Sequence, residues 1–296
     1  MPSDRLPPQP CPDYLQASWL RCAHQTSATL WHPPHSAKGQ TLQSLRQRKR
    51  DLLTTGEMAL EDLYEFMEGR PCALLLTDES GCLLARTGHR ETLAELEALG
   101  FGPGAFFSEG RIGTNAINLA ALEGVPLCVS GPQHFNQTLH PWHSCASPVY
   151  NSNGRQVAIM ALVCKVEAAT LGDLALTVSA GRELAHLLQM ERLMQESQHH
   201  LSELYALLDG MADGVLAWDP QGRLRYLNAL AANRLRLEPA ICLGQPLEQH
   251  LLLPQRLQLA IKGQTPLSHV EVTLERLGAQ EGEFINALVS LKPLPG

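Results

Sequence analysis

The 296-residue sequence contains no long hydrophobic run. Its longest apolar stretch, residues 157–164, has eight residues and ends at Lys165, whereas a helix that spans a membrane needs about 20. The proline-rich start of the sequence also lacks the apolar core of a secretory signal. We therefore expect a cytoplasmic protein with no transmembrane segment and no membrane partner.

The motifs of nucleotide hydrolysis are absent, and positive charge is scarce. There is no GxxxxGK[S/T] loop, and no glycine-rich ATP-binding region follows His186, which argues against a phospho-accepting histidine there. After residue 50, 16 Lys and Arg residues stand against 28 Asp and Glu residues. This balance disfavours direct nucleic-acid binding by this segment. The basic run at residues 46–50 indicates the solvated face of a helix.

The eight cysteines form no CxxC pair and have no regular spacing. Because free thiols are the rule in cytosolic proteins, we expect no disulfide. Zinc ligands are available at His134, His140, His143 and Cys145, but without the usual paired spacing. Cys145 near His143 is also a nucleophile near a base, yet nothing in the sequence orients the pair. We predict no metal, no cofactor and no catalytic residue, and hence no enzyme.

What the sequence does contain is typical of small α+β modules. Apolar residues over 41–67 recur at helical spacing and predict a long helix interrupted at Gly56. Turn residues at 78–81 and 151–154 separate apolar runs, which predicts two antiparallel hairpins. A glycine-rich loop over 100–110 leads into a small-residue helix.

A long helix and a second module follow. Residues 171–211 contain no proline and predict one continuous helix. Residues 213–228 predict strand, turn and strand. Helices over 229–235 and 254–262 and strands over 269–275 and 283–291 complete the pattern.

The predicted fold class is therefore α+β, with two small antiparallel-sheet domains that have flanking helices and are joined by a long helix. We divide the chain into an N-terminal segment with a short helix (1–40), a first domain (41–170), the connecting helix (171–211) and a second domain (212–296).

One face of the connecting helix carries apolar residues at alternating steps of three and four, the heptad spacing of a coiled coil. Ser197 and the two histidines that follow at 199 and 200 make this seam imperfect. The pattern predicts an adjustable parallel homodimer. Its seam residues are Leu187, Met190, Met194, Leu201, Leu204, Leu208 and Met211.

Candidate ligand-binding residues lie around the glycine-rich loop and the histidine-rich segment. Gly110 and Gly113 precede a helix entry whose backbone N–H groups can bind an anion, although a plain helix entry is the alternative. Two aromatic side chains further along give apolar walls. The pocket candidates are Thr114, Asn115, His134, Phe135, Trp142 and Cys145.

Four segments carry a specific resemblance: 18–22 (SWLRC), 109–117 (EGRIGTNAI), 134–135 (HF) and 140–149 (HPWHSCASPV). They resemble the GAF sensor region of bacterial enhancer-binding activators of the acetoin-regulator type, which work with the alternative sigma factor sigma-54. Residues 213–228 similarly resemble the opening of a PAS domain. The order GAF, helix, PAS is most similar to regulators of dihydroxyacetone kinase, or glycerol metabolism, operons over nearly the whole chain.

This resemblance implies a cytoplasmic, non-catalytic signal-input region of a transcriptional activator. Members of the family continue into an ATPase domain and a DNA-binding helix-turn-helix. Their PAS domain has three strands after its helices, whereas only two are predicted there in this chain. We therefore expect a fragment that is truncated at the last PAS strand. In these relatives the input is protein, because the ADP-binding subunit of dihydroxyacetone kinase activates and the dihydroxyacetone-binding subunit antagonises.

Two other functions stay open at this point. The first is a GAF domain that binds a small metabolite through the pocket candidates. The second is a thiol reductase in which Cys145 reacts with Cys128 or Cys82 as its resolving partner. That reaction needs two sulfurs within reach, which sequence spacing does not show.

Overall fold

The computed structural model describes residues 12–67, 69–219, 221–255, 258, 270–276 and 284–289. The chain divides into two compact units, Met1–Met194 and Gln195–Gly296. Each unit combines antiparallel strands with helices, which confirms the predicted α+β class. The proline-rich start of the sequence lies outside the described residues up to position 11.

The first unit begins with three helices, α1 (Asp13–Gln25), α2 (Gly39–Arg48) and α3 (Arg50–Phe66). The predicted break at Gly56 is wrong, since the helix is interrupted at Lys49 instead. Gly56 is buried within α3, where an added Cβ atom would overlap the Leu76 side chain. Glycine at this position therefore brings the helix close to the sheet rather than ending it.

Five antiparallel strands follow: β1 (Cys72–Asp78), β2 (Leu83–Gly88), β3 (Leu127–Ser130), β4 (Trp142–Tyr150) and β5 (Gln156–Lys165). Their order in the sheet is β2-β1-β5-β4-β3. The pairs β1–β2 and β4–β5 confirm the two predicted hairpins. Between β2 and β3 the chain forms α4 (Arg90–Ala98), α5 (Glu109–Ile112) and α6 (Ala116–Glu123).

The sheet has a hydrophobic core on each face. One core joins Ile117 of α6 to Trp142 and Ile159 of the sheet. The other joins Leu60 of α3 to strand residues such as Met160. Because successive side chains of a strand point to opposite faces, neighbouring residues of β4 belong to different cores. This alternation decides which candidate residues can meet.

The helix α7 (Asp173–Asp209) confirms the long helix that the sequence predicts. Its first residue, Asp173, is fully buried and accepts hydrogen bonds from Arg70 at 2.6 and 2.8 Å. Ala180 and Leu184 lie in the same core as α3. The N-terminal part of α7 is therefore packed against the first sheet, on the face opposite to α6.

The second unit contains β6 (Leu216–Trp218), β7 (Leu224–Leu227), α8 (Ala229–Arg234), α9 (Pro239–Cys242), β8 (Leu251–Leu252), β9 (Val270–Arg276) and β10 (Phe284–Val289). The predicted strands over 269–275 and 283–291 are confirmed, whereas the helix predicted over 254–262 lies largely outside the described residues. Asn228 fixes the segment between the end of α7 and β6. Its buried side-chain amide donates hydrogen bonds to Leu208 O and Asp213 O and accepts one from Val215 N.

Candidate functional site

A small cavity lies between the first sheet and the helices α4 to α6. Its volume is about 30 Å³, close to the share of one water molecule in the liquid, whereas small-molecule sites occupy about 300–1,000 Å³. Apolar side chains and three polar ones line it: Leu75, Leu96, Phe101, Phe107, Ile112, Asn115, Ala116, Ile117, His134, Leu139, Trp142, Ser144 and Val163. Side chains thus fill most of the space that a metabolite would need.

The polar side chains of the cavity form hydrogen bonds with backbone groups of the same chain. Asn115 caps α6 by accepting from Asn118 N at 2.9 Å and donates to Gly113 O at 3.0 Å. Ser144 donates to Val129 O at 3.3 Å, and His134 Nδ1 lies 3.2 Å from Gly131 O. These groups therefore hold loops in place in this conformation.

Burial lowers the pKa of His134 to about 4, so its imidazole is neutral at pH 7. In the unfolded chain the same group has a pKa near 6.5. Between these values the unfolded state binds the proton and the folded state does not, so stability falls as the pH drops from about 6.5 to about 4. We expect a loss of about 3 kcal/mol from this group across that range.

Urea unfolding at several pH values measures this loss. His134→Gln is expected to flatten the pH dependence of the free energy of unfolding between pH 6.5 and 4. The matched control is His186→Gln, which replaces an exposed histidine and should leave this dependence unchanged. Equal pH dependence in the wild type and in His134→Gln would contradict the assignment.

Three of the six pocket candidates, Asn115, His134 and Trp142, line the cavity. The Lys165 ammonium lies 4.0 Å from the centre of the Trp142 indole ring. Thr114, Phe135 and Cys145 face elsewhere. The structure therefore brings half of the proposed set together.

Thr114 and Phe135 instead hold α1 against the domain. Thr114 Oγ1 lies 2.7 Å from Ser18 Oγ, and the Phe135 ring packs edge-on against Trp19. The buried Glu109 accepts from Ser18 Oγ at 2.8 Å and from Arg21 Nε at 2.8 Å. Sequence reasoning missed this polar cluster, although its members all lie in the SWLRC and EGRIGTNAI segments.

Cys145 lies on the opposite face of β4 and forms a disulfide with Cys128. The expectation of no disulfide is therefore wrong. The register of β3 and β4 places these two residues directly opposite each other, with their Cα atoms 4.0 Å apart. Cys82, the other proposed partner, is a buried free thiol. Linear spacing does not reveal such a strand pairing.

His143 connects the disulfide to the start of α7. Its Nε2 lies 3.2 Å from Cys145 Sγ and 3.6 Å from Asp173 Oδ2. Burial lowers the pKa of His143, an effect that Asp173 opposes. Burial alone raises the pKa of Asp173, but hydrogen bonds from Arg70 and Thr170 outweigh it and leave this pKa below its ordinary value.

The zinc set considered from the sequence is divided between the two faces of β4. His134 lines the cavity, whereas His143 and Cys145 lie near Asp173. The ligand atoms of Cys128, His143 and Cys145 lie within 4.8 Å of one another. In the disulfide form the two sulfurs are bonded to each other and offer no thiolate to a metal.

The predicted seam residues of α7 are largely exposed in the single chain. The exposed fractions are 47 % for Met190, 62 % for Met194, and 49 % for both Leu201 and Leu204. Met211 follows the end of the helix and is 47 % exposed. In the part of the chain that the structure describes, no helix is both long and apolar enough to cross a membrane.

Comparisons with known proteins agree with this architecture. A GAF domain model matches residues 51–188 and a PAS fold model matches residues 202–294. The glycerol metabolism operon regulatory protein of Citrobacter freundii is 44 % identical over 280 residues, which cover 95 % of this chain and 43 % of the relative. The PTS-dependent dihydroxyacetone kinase operon regulatory protein of Escherichia coli K12 gives the same values. The chain thus spans less than half the length of these curated relatives.

A solved structure is similar over almost the whole chain. A chain in the crystal structure of the Escherichia coli DhaR(N)–DhaL complex is 43 % identical, with a TM-score of 0.82 and coverage of 96 % of this chain and 95 % of that one. The relatives are transcriptional regulators rather than enzymes. This chain therefore belongs to the family of GAF–PAS sensory regions of glycerol and dihydroxyacetone kinase operon regulators.

Proposed function

We propose that this chain is the signal-input region of a transcriptional activator of dihydroxyacetone and glycerol metabolism, and that kinase subunits switch it by binding. The observation that carries the proposal is the similarity, at a TM-score of 0.82 and 43 % identity, to a chain in the DhaR(N)–DhaL complex. A subunit of the DhaL type is thus the first partner to test.

The nearly filled GAF cavity favours a protein signal over a small metabolite. A space of about 30 Å³ does not hold a molecule of the size of glycerol or acetoin without rearrangement of Trp142 or the phenylalanines around it. The partner roles we propose are those of the ADP-binding subunit as co-activator and of the dihydroxyacetone-binding subunit as antagonist. Binding of either subunit acts through its differential affinity for two states of the sensor.

The exposed apolar seam of α7 supports a homodimer as the second part of the proposal. At least four seam side chains are about half exposed or more, and a second α7 in a parallel coiled coil would bury them. In this arrangement a change of helix register carries the signal towards an ATPase and a DNA-binding region outside this chain. The dimer operates in the cytoplasm, and this segment does not itself bind nucleic acid.

Light-scattering chromatography of the purified chain with each kinase subunit, with and without ADP, tests the proposal. We expect a complex with the ADP-binding subunit, and we expect the dihydroxyacetone-binding subunit to displace it. Trp142 fluorescence in the presence of glycerol, dihydroxyacetone and acetoin tests the alternative, and Trp142→Phe serves as its signal control. No complex with either subunit, together with a saturable change that Trp142→Phe abolishes, would favour a metabolite sensor instead.

A further inference from the structure

We propose that Cys128 and Cys145 form a reversible dithiol–disulfide site, which hydroperoxide-class oxidants close and dithiol reductants open, and whose state is sensed at the start of α7. Two features carry the proposal. The sulfurs are placed together by direct pairing across β3 and β4, and the buried sulfur contacts a histidine that contacts the first residue of α7. The proposal does not depend on kinase-subunit binding.

The two sulfurs differ in their access to solvent. Cys128 lies on β3, an edge strand of the sheet, and is only partly buried, whereas Cys145 is 1 % exposed. A reagent therefore reaches Cys128 first. The five other described cysteines are buried and form no disulfide, at positions 22, 72, 82, 164 and 242. Access thus selects one sulfur among those that the structure describes.

Reduction starts at the accessible sulfur. A thiolate of the dithiol reductant attacks Cys128 Sγ, the S–S bond breaks, and its electron pair leaves on Cys145 Sγ. The second thiolate of the reductant then attacks the reductant sulfur of the mixed disulfide and releases Cys128. The reductant becomes a disulfide, and its two protons end on Cys128 and Cys145.

Oxidation reverses the change with a different reagent. The Cys128 thiolate attacks one oxygen of the hydroperoxide, the O–O bond breaks, and a sulfenic acid forms with release of an alcohol or water. Cys145 Sγ then attacks the sulfenic sulfur, and hydroxide leaves as water with the thiol proton. One hydroperoxide accepts the two electrons that the two thiols lose.

His143 links this chemistry to the helix. Its Nε2, 3.2 Å from Cys145 Sγ, is placed to donate a hydrogen bond to this sulfur once reduction releases it from Cys128. The same nitrogen lies 3.6 Å from Asp173 Oδ2, and Asp173 is held by Arg70 and Thr170. Among the described residues His143 Nδ1 is buried without a hydrogen-bond partner. The released Cys145 sulfur therefore competes with Asp173 for the imidazole.

Alkylation of the native chain with N-ethylmaleimide, followed by intact-mass measurement and peptide mapping, tests the chemistry. After treatment with dithiothreitol we expect an additional label on Cys128 in the native chain and a second one, on Cys145, once the treated chain is denatured. After reoxidation with hydrogen peroxide we expect both to disappear. Cys128→Ser removes the response, and Cys82→Ser, which changes a buried free thiol of the same unit, retains it. Labelling of the wild-type chain tests the chemistry even if a variant fails to fold.

Hydrogen exchange of residues 170–180 tests the link to α7. Reduction is expected to speed exchange in the wild type and in Cys82→Ser but not in Cys128→Ser. Any of four results would overturn the proposal. The first two are that dithiothreitol opens the disulfide only after denaturation, and that peroxide does not rejoin the thiols. The third is that one bound Zn²⁺ protects the reduced thiols from the label. The fourth is that hydrogen exchange at the start of α7 is the same in the reduced and oxidised chains.

Discussion

Leu201→Asp combined with Leu208→Asp is expected to convert a dimer of this chain into a monomer. A buried leucine contributes about 1.5–3 kcal/mol, and the double substitution removes four such side chains from a two-chain seam and adds four carboxylates. The dissociation constant should therefore rise by about a thousandfold or more. Light scattering at micromolar concentration should show the mass of the variant falling to that of one chain, 32.4 kDa.

The matched control adds the same charges away from the seam. Gln195 and Ser202 are exposed on α7 and lie outside the heptad positions. Gln195→Asp with Ser202→Asp should leave the dimer intact, and circular dichroism should show equal helix content in both variants. A dimer that survives Leu201→Asp with Leu208→Asp would rule out the seam.

Arg70→Met is expected to lower the free energy of unfolding of the first unit by about 3–5 kcal/mol. Asp173 is fully buried, and the substitution removes its cation and leaves the carboxylate unpaired. Arg70 also donates to Ala168 O at 2.7 Å, so the loop before α7 loses a second contact. Urea unfolding at pH 7, followed by tryptophan fluorescence, measures the change.

The effect of Arg70→Met should depend on pH. In the folded protein the pKa of Asp173 lies below its ordinary value, and in the unfolded chain it is near 4. The unfolded state thus takes up the proton first, so the contribution of Asp173 is complete above about pH 4 and is lost as the pH falls through the folded-state pKa. The difference between wild type and variant should shrink in acid.

A pair at the surface provides the control for this experiment. Arg46 lies 3.5 Å from Glu57, and both side chains are more than 40 % exposed. Arg46→Met should cost less than about 1 kcal/mol, because exposed ion pairs are weak. If Arg70→Met costs no more than Arg46→Met, the ion pair at the start of α7 is not a major source of stability.

Local patterns predicted the elements of this fold well. The hairpins around residues 78–81 and 151–154 and the helix over 171–211 follow from short-range periodicity and turn residues, and the structure contains all three. The predicted break at Gly56 is wrong because a glycine in a helical pattern can either end the helix or allow a close contact with a neighbouring element. Only the packing partner, Leu76, distinguishes these two cases.

The candidate site was less predictable because it depends on long-range register. Periodicity shows that residues 142–145 alternate between two faces, but it does not show which strand lies beside them. Cys128 meets Cys145 only through the pairing of β3 with β4. Likewise, the sequence names aromatic walls at Phe135 and Trp142, yet Phe135 packs against Trp19. The volume left beside Trp142 depends instead on Phe101 and Phe107, which come from a different loop.

The position of α1 shows that a matched sequence segment and a folding unit have different limits. The GAF model begins at residue 51, but Leu15 belongs to the core of the first sheet and Arg21 supplies the cation for Glu109. A shortened chain that starts at residue 51 would uncover this core and leave a carboxylate that is 6 % exposed without its partner. Detachment of α1 would therefore remove contacts that hold the loop before α6 in place. The N-terminal helix is thus a structural part of the sensor.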